Sequence, residues 1–233
     1  MAQTAIVTGT ASGMGQATAQ LLIDEGWNVL ALDLKDSDLC AGTGWLHALP
    51  VDITDRTAVA DALAEGIPAG TAVDLVANVA GIYPPSTLDT FTEELYRFIF
   101  DVNVLGSLNV AAEARKRMHD GSALVNFASV DAFTVSPGQL LYGASKAAIV
   151  MVTKTLALEL APEGIRVNAV APGWVDTPGN QATGRMTEAA KSIPLQRVAL
   201  PEEIARWVLT LGSRTASFMT GETIVLSGGD VIR

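Results

Sequence analysis

Short apolar runs recur along the chain without the polar alternation of a half-exposed strand. They are Thr4-Ala5-Ile6-Val7-Thr8, Asn28-Val29-Leu30-Ala31-Leu32, Trp45 to Leu49, Val73 to Ala77, Ala123 to Ala128, Ile165 to Val170 and Thr223 to Leu226. Such runs predict strands buried on both faces of a sheet. Longer segments with helical spacing separate them. Met14 to Glu25 reads as a helix ending before Gly26. Thr54-Asp55 opens another through Ala58 to Ala64, and Thr92 to Met118 reads as one long helix. Acids open that long helix and Arg115, Lys116 and Arg117 close it, an order that suits the helix dipole. Gln139 to Leu160 is the fifth crossover, and Pro201-Glu202-Glu203 opens the last helix. Strictly alternating β and α segments predict an α/β fold, a doubly wound seven-stranded parallel sheet with helices on both faces. Ligands of such sheets bind beyond the carboxyl ends of the strands, where strand order reverses.

Composition narrows the function classes. The 233 residues carry a net charge of −10, with 49% hydrophobic and 17% charged residues. That is too apolar for disorder. The acidic field repels phosphate, so nucleic acid is not an expected partner. No apolar run reaches the roughly 18 residues of a membrane span. The start, Met1-Ala2-Gln3-Thr4, has no charged leader region, and Cys40 is the only cysteine, so a cytoplasmic protein without disulfides is expected. One domain of residues 1–233 is expected, with a substrate lid at about 177–200.

The first strand runs into Thr8-Gly9-Thr10-Ala11-Ser12-Gly13-Met14-Gly15. Three glycines between a first strand and a first helix let backbone approach a pyrophosphate, which the helix N-terminus then holds. An ordinary tight turn is the alternative. Asp33 ends the second strand and can accept both hydrogen bonds of an adenosine ribose diol. It would repel a 2′-phosphate, and neither Leu34 nor Ser12 offers a cation, so NAD is expected over NADP. Only Lys35 could reach such a phosphate. Asp52-Ile53 after the third strand either faces the adenine edge or punctuates a turn.

Tyr142 and Lys146 stand four residues apart on the fifth crossover helix and share a face. A free phenol, with a pKa near ~10, is too weak a base at neutral pH. A close ammonium favours the phenolate, so the pair can move a proton during alcohol oxidation. Ser129 closes the fifth strand, where its hydroxyl can orient a substrate oxygen. No His or acid completes a hydrolytic triad with it, and His47 and His119 have no metal-ligand spacing.

With these residues in place, the chain resembles the short-chain dehydrogenase/reductase family in its compact single-domain form, over essentially its whole length. Asn78-Val79-Ala80-Gly81, Asn103, Pro172-Gly173 with Thr177, Ile193-Pro194-Leu195, Pro201-Glu202-Glu203-Ile204-Ala205 and Thr220-Gly221-Glu222 with Gly228-Gly229 extend the match. The resemblance implies a Rossmann-type fold and a nicotinamide cofactor. It implies Tyr142 as general acid/base, Ser129 as the group positioning the substrate oxygen, and Asn103 as holder of a relay water. Lys146 would hold the nicotinamide ribose and lower the Tyr142 pKa. The cofactor would lie along Gly9, Ser12, Gly13, Met14 and Gly15, then Asp33, Leu34, Asp52 and Ile53. Asn78, Ala80, Gly81, Pro172, Gly173, Val175 and Thr177 would complete its site. Val79 departs from the second Asn common in the family, and the lid is short.

Ser129, Asp131, Phe133, Tyr142, Trp174 and Met186 are the expected substrate groups, with Tyr83, Pro84 and Arg185 nearby. Most are apolar or aromatic, which predicts a hydrophobic ring or chain bearing a secondary alcohol or ketone. Asp131 reads as a loop acid facing water, or as a partner for a second hydroxyl or an amine. Two apolar helices, Thr92 to Met118 and Ala147 to Leu160, predict a homo-oligomer, a tetramer by resemblance. The expected activity is an NAD-dependent secondary-alcohol dehydrogenase or ketone reductase. A cis-dihydrodiol dehydrogenase forming a catechol uses the same residues. A non-catalytic NAD(H) sensor or scaffold would be expected to lack part of the Ser129, Tyr142, Lys146 and Asn103 set.

Overall fold

A computed structural model describes residues 2–232. In chain order the elements are β1 (Thr4–Thr8), α1 (Gly13–Asp24), β2 (Asn28–Asp33), β3 (Leu46–Pro50), α2 (Arg56–Gly66) and β4 (Val73–Asn78). Then come α3 (Glu93–Phe100), α4 (Ser107–Arg115), β5 (Met118–Phe127), α5 (Leu140–Leu160) and β6 (Arg166–Pro172). Two short helices, α6 (Pro178–Gln181) and α7 (Met186–Ser192), precede α8 (Pro201–Gly212) and β7 (Thr223–Leu226). The seven strands form one sheet in the order β3-β2-β1-β4-β5-β6-β7. Every pairing is parallel.

The strands lack polar alternation because both faces of the sheet are covered. Ala5, Val7, Val29 and Ala31 join a core with α1 and α8, where Leu22, Ile204 and Val208 are buried. Ile6, Leu30 and Leu32 point the other way, into a core with Val59, Leu63 and Val110 of α2 and α4. Strand order reverses between β1 and β4, so the crevice beyond their carboxyl ends is where a ligand is expected.

Two expectations fail in detail. The segment from Thr92 to Met118 is not one helix. A π-helical stretch, Asp101–Gly106, separates α3 from α4. A Cβ on Gly106 would stand 2.6 Å from Ile53 Cγ1, so a glycine is needed where this stretch lies against the loop after β3. Met118 belongs instead to β5, which begins five residues before the apolar run at Ala123. Its first residues, Met118-His119-Asp120-Gly121-Ser122, are polar and bulged, with the register shifting between Val73 and Leu75.

Residues Leu140–Glu163 are long and apolar enough to cross a membrane. They form α5 and its closing turn, and Ser145, Lys146 and Thr153 on α5 are buried polar residues against the sheet. One side of this helix joins the core, while Met151 and Leu158 are exposed.

Candidate active site

Thr8 ties the two strands at the switch point. Its hydroxyl accepts hydrogen bonds from the Val79 and Ala80 amides at 3.0 and 3.1 Å. Gly9 follows at φ +74°, and a Cβ there would stand 2.8 Å from Ala80 Cα. A Cβ on Gly15 would stand 1.9 Å from the Gly9 carbonyl oxygen. Both glycines therefore serve close backbone packing around the loop. Ser12 makes no side-chain cap to α1, and no acid lies in the first turn. The first amides of α1 are left for an anionic group in the cleft, so the cradle fits a pyrophosphate.

That cleft encloses about 360 Å³. Gly9, Ser12, Gly13, Met14 and Gly15 line it, with Asp33, Leu34, Asp52, Ile53, Ala80, Gly81 and Thr177. Asp33 accepts from the Ala11 amide through Oδ2 and from the Lys35 amide through Oδ1, each at 3.0 Å. These bonds aim the carboxylate at the end of β2. Asp52 takes the Thr54 amide and hydroxyl, so it both turns the chain and lines the cleft. Asn109 of α4 fixes this turn by donating to the Ile53 and Thr54 carbonyls. Nothing in its sequence position marks it for that task.

Of the expected cofactor residues, Asn78, Tyr142, Lys146, Pro172, Gly173 and Val175 do not line this cleft. Val175 is fully buried in the core. Asn78 is buried in the sheet, donating to the Ser107 carbonyl and to Asn126 Oδ1. Asn126 donates in turn to the Thr153 hydroxyl. This polar ladder links α4, β4, β5 and α5. It supports the sheet.

Ser129, Tyr142 and Lys146 converge at the carboxyl end of β5. The Ser129 hydroxyl lies near the Tyr142 phenol, and Ser129 Oγ accepts the Asp131 amide at 3.1 Å. The Lys146 ammonium lies 5.7 Å from the centre of the Tyr142 ring. It donates to the Phe127 carbonyl at 2.7 Å. Burial lowers its pKa from 10.5 to about 8. Burial also pushes the Tyr142 phenol well above its ordinary range. The Ser129 hydroxyl draws it down, while Asp131 and Tyr83 push it further up. The expected lowering of Tyr142 by Lys146 is not seen: burial dominates, and Lys146 is not among the groups that shift the phenol.

Asn103 sits in the π-helical stretch and is 1% exposed. Its amide oxygen accepts from Ile82 N, and its amide nitrogen donates to Ile82 O and Ser145 Oγ. The side chain thus pins the loop after β4 to α5. Both of its donors are committed, so a relay water would have to meet its remaining acceptor capacity.

A second cleft of about 200 Å³ opens from Ser129 and Tyr142, with Pro172 and Gly173 in its wall. Asp131 and Trp174 line it as expected. Phe133 does not, because it packs on Ala128, Ile149 and Ala171. Met186 heads α7 outside this lining. Gln139, Asn180 and Asp230 do line it. They come from three distant segments, and none lies in a motif that could have flagged it. Tyr83 stands between the two clefts, edge-on to Tyr142 with ring centres 5.9 Å apart.

Residues 9–230 match the protein family described as Enoyl-(Acyl carrier protein) reductase. The chain belongs to the short-chain dehydrogenase/reductase family. It is 36% identical to the 3-oxoacyl-[acyl-carrier-protein] reductase FabG of Thermotoga maritima over 97% of each chain. It is 38% identical to a short-chain type dehydrogenase/reductase of Sinorhizobium fredii, y4vI. That match covers 96% of this chain but 43% of the longer relative. Among solved structures, the aldohexose dehydrogenase of Thermoplasma acidophilum superposes with a TM-score of 0.91 at 29% identity, over 100% of this chain and 95% of that one. A 3-oxoacyl-[acyl-carrier protein] reductase of Brucella melitensis with bound NAD gives 0.85 at 31% identity, over 97% and 90%. As a family member, the chain is an oxidoreductase with a Rossmann-type fold.

Proposed function

We propose that this short-chain dehydrogenase/reductase interconverts a secondary alcohol and its ketone with NAD, using Tyr142 as general acid/base. The observation that carries the reading is the meeting of Ser129, Tyr142 and Lys146 where the glycine-lined cleft adjoins the second cleft. Gly9, Gly13 and Gly15 would hold the cofactor pyrophosphate, and Asp33 its adenosine ribose. Lys146 would hold the nicotinamide ribose, with Thr177 beside it. A bound nicotinamide supplies the hydride acceptor, or the donor in the reverse direction. Ser129 holds the substrate oxygen against the phenol. Tyr142 takes the hydroxyl proton on oxidation and returns it on reduction. Asp33 supports NAD over NADP, because a second anion beside its carboxylate is repelled. The retained catalytic set disfavours a non-catalytic sensor.

A homo-oligomer remains part of this reading. Tyr96, Leu105, Met151 and Leu158 leave large apolar surface exposed on the helices and π-helical stretch between β4 and β6. Cytoplasmic placement and a lid at about 177–200 belong to the same proposal.

The test is reduction of NAD, and separately NADP, with a panel of secondary alcohols and dihydrodiols, followed by absorbance. Turnover with NAD that falls at least about 10²-fold in Tyr142→Phe is expected. Turnover that persists in the variant would overturn the mechanism, and preference for NADP would overturn the reading of Asp33.

A further inference from the structure

A cavity of about 150 Å³ adjoins the second cleft at Trp174, which alone among the described residues lines both. Ile193, Leu195, Ile204, Trp207 and Leu226 complete its apolar lining. Leu195 and Trp207 keep exposed surface, so the cavity is open and not a sealed packing defect. Its charged and hydroxyl side chains are committed. Arg197 and Glu203 pair with each other at 2.6 and 2.7 Å. Ser227 Oγ accepts the Val231 amide and donates to the Val231 carbonyl. An occupant therefore meets hydrocarbon, two indoles and no free charge, which fits an uncharged apolar group. A cavity of this size takes a ring as large as benzene. The Trp174 backbone is fixed, its carbonyl accepting the Ala199 amide at 3.0 Å. Its indole is held less firmly. The Arg185 guanidinium lies 5.4 Å from the ring centre, and the indole N–H has no hydrogen-bond partner among the described residues. One cation–π contact at a partly exposed ring is weak enough for the ring to turn.

We infer that Trp174 is a door from the catalytic cleft into this cavity, and that the cavity takes an uncharged apolar tail of the substrate. This rests on the alcohol-dehydrogenase reading above and adds a second anchoring point for its substrate. The charged groups that line the second cleft, Asp131, Arg185 and Asp230, stay around the reacting end. The tail leaves them by passing the indole, and the committed polar groups of the cavity lose no partner when it enters. Each methylene that the cavity takes from water favours binding roughly four-fold.

Steady-state oxidation of 2-butanol and 2-nonanol tests this, with toluene as an unreactive occupant of the cavity. The longer alcohol should exceed the shorter by at least about ten-fold in kcat/KM. Toluene should compete with 2-nonanol and spare 2-butanol. With no alcohol or cofactor present, it should also shift the tryptophan emission saturably, which reads binding without turnover. Leu195→Phe crowds the cavity from its exposed side and should bring the ratio toward one and weaken the emission shift. Trp174→Ala removes the door and should keep the ratio at least as high. A ratio near one in the parent protein, toluene that inhibits both alcohols alike, or a ratio that collapses in Trp174→Ala overturns the inference and leaves the dehydrogenase reading intact. Toluene binding that appears only on dilution of the protein would assign the cavity to a contact between subunits, and overturns it too. So does failure of both alcohols while another secondary alcohol reacts. No turnover of any alcohol with NAD or NADP overturns both readings.

Discussion

The Tyr83 hydroxyl stands 1.9 Å from the point where a Cβ on Gly179 would project. Tyr83 comes from the loop after β4, and Gly179 lies in α6, in the segment proposed as the lid. Their contact sets α6 against the wall shared by the two clefts. Gly179→Ala must therefore push either the ring or the lid aside. A drop of at least about ten-fold in kcat/KM is expected, since small misplacements at a reacting site are costly. Tyr83→Phe removes the clashing atom and leaves the next ring atom, Cζ, at 3.1 Å. The double variant Gly179→Ala/Tyr83→Phe should recover most of the loss relative to Tyr83→Phe alone. Purely additive losses would show that the two residues do not act through this contact.

On the proposed reading, Asp33 selects the cofactor through hydrogen bonds and through charge. Asp33→Asn keeps an acceptor for the Ala11 or Lys35 amide but removes the negative charge. NAD affinity measured by calorimetry should fall by about 1.5–3 kcal/mol, the scale of a hydrogen bond to a charged group. NADP affinity should fall less or rise, because the repulsion is gone. An unchanged ratio of the two affinities would remove Asp33 as the discriminating group.

Asn78, expected to line the adenine-ribose side and to support the sheet, has its amide bonded inside the sheet. Asn78→Ala leaves the Ser107 carbonyl and Asn126 Oδ1 short of a donor in a buried layer. Unmaking a buried bond costs about 1–3 kcal/mol. Denaturant melts should show a loss of that size, with NAD affinity held within about three-fold. A large loss of NAD affinity without loss of stability would return Asn78 to the cofactor site.

The parts legible in the sequence are those set by local pattern. Ile6, Leu30 and Val76 sit in continuous apolar runs because helices cover both faces, and this exposed the parallel sheet. Gly9, Gly13 and Gly15 were legible because a strand precedes them and a helix follows. The π-helical stretch was not, since it depends on Gly106 meeting Ile53 from a distant loop. Phe133 misled because hydrophobicity alone does not say whether a ring faces a cleft or a core. Gln139 and Asp230 stayed hidden for the opposite reason. Only the folded chain brings the start of α5 and the segment after β7 to the end of β5.

Lys146 links activity to stability in a measurable way. Burial lowers its pKa from 10.5 to about 8 in the folded chain. Below pH 8 folded and unfolded chains both carry the charge, and folding bears the full cost of desolvating it. Between pH 8 and 10.5 the unfolded chain keeps a proton that the folded chain has shed. Stability therefore rises with pH across this window. The full shift corresponds to about 3 kcal/mol. Lys146→Met removes the buried charge and forfeits the bond to the Phe127 carbonyl, worth about 1.5–3 kcal/mol. The variant should be inactive yet at least as stable as the parent near pH 7, and its melting temperature should lose the rise between pH 8 and 10. Thermal melts of both proteins from pH 6.5 to 10 check this. A parent protein whose stability is flat over that range, or a variant clearly less stable at pH 7, would mean that Lys146 is held in place as a structural contact and not at a cost to the fold.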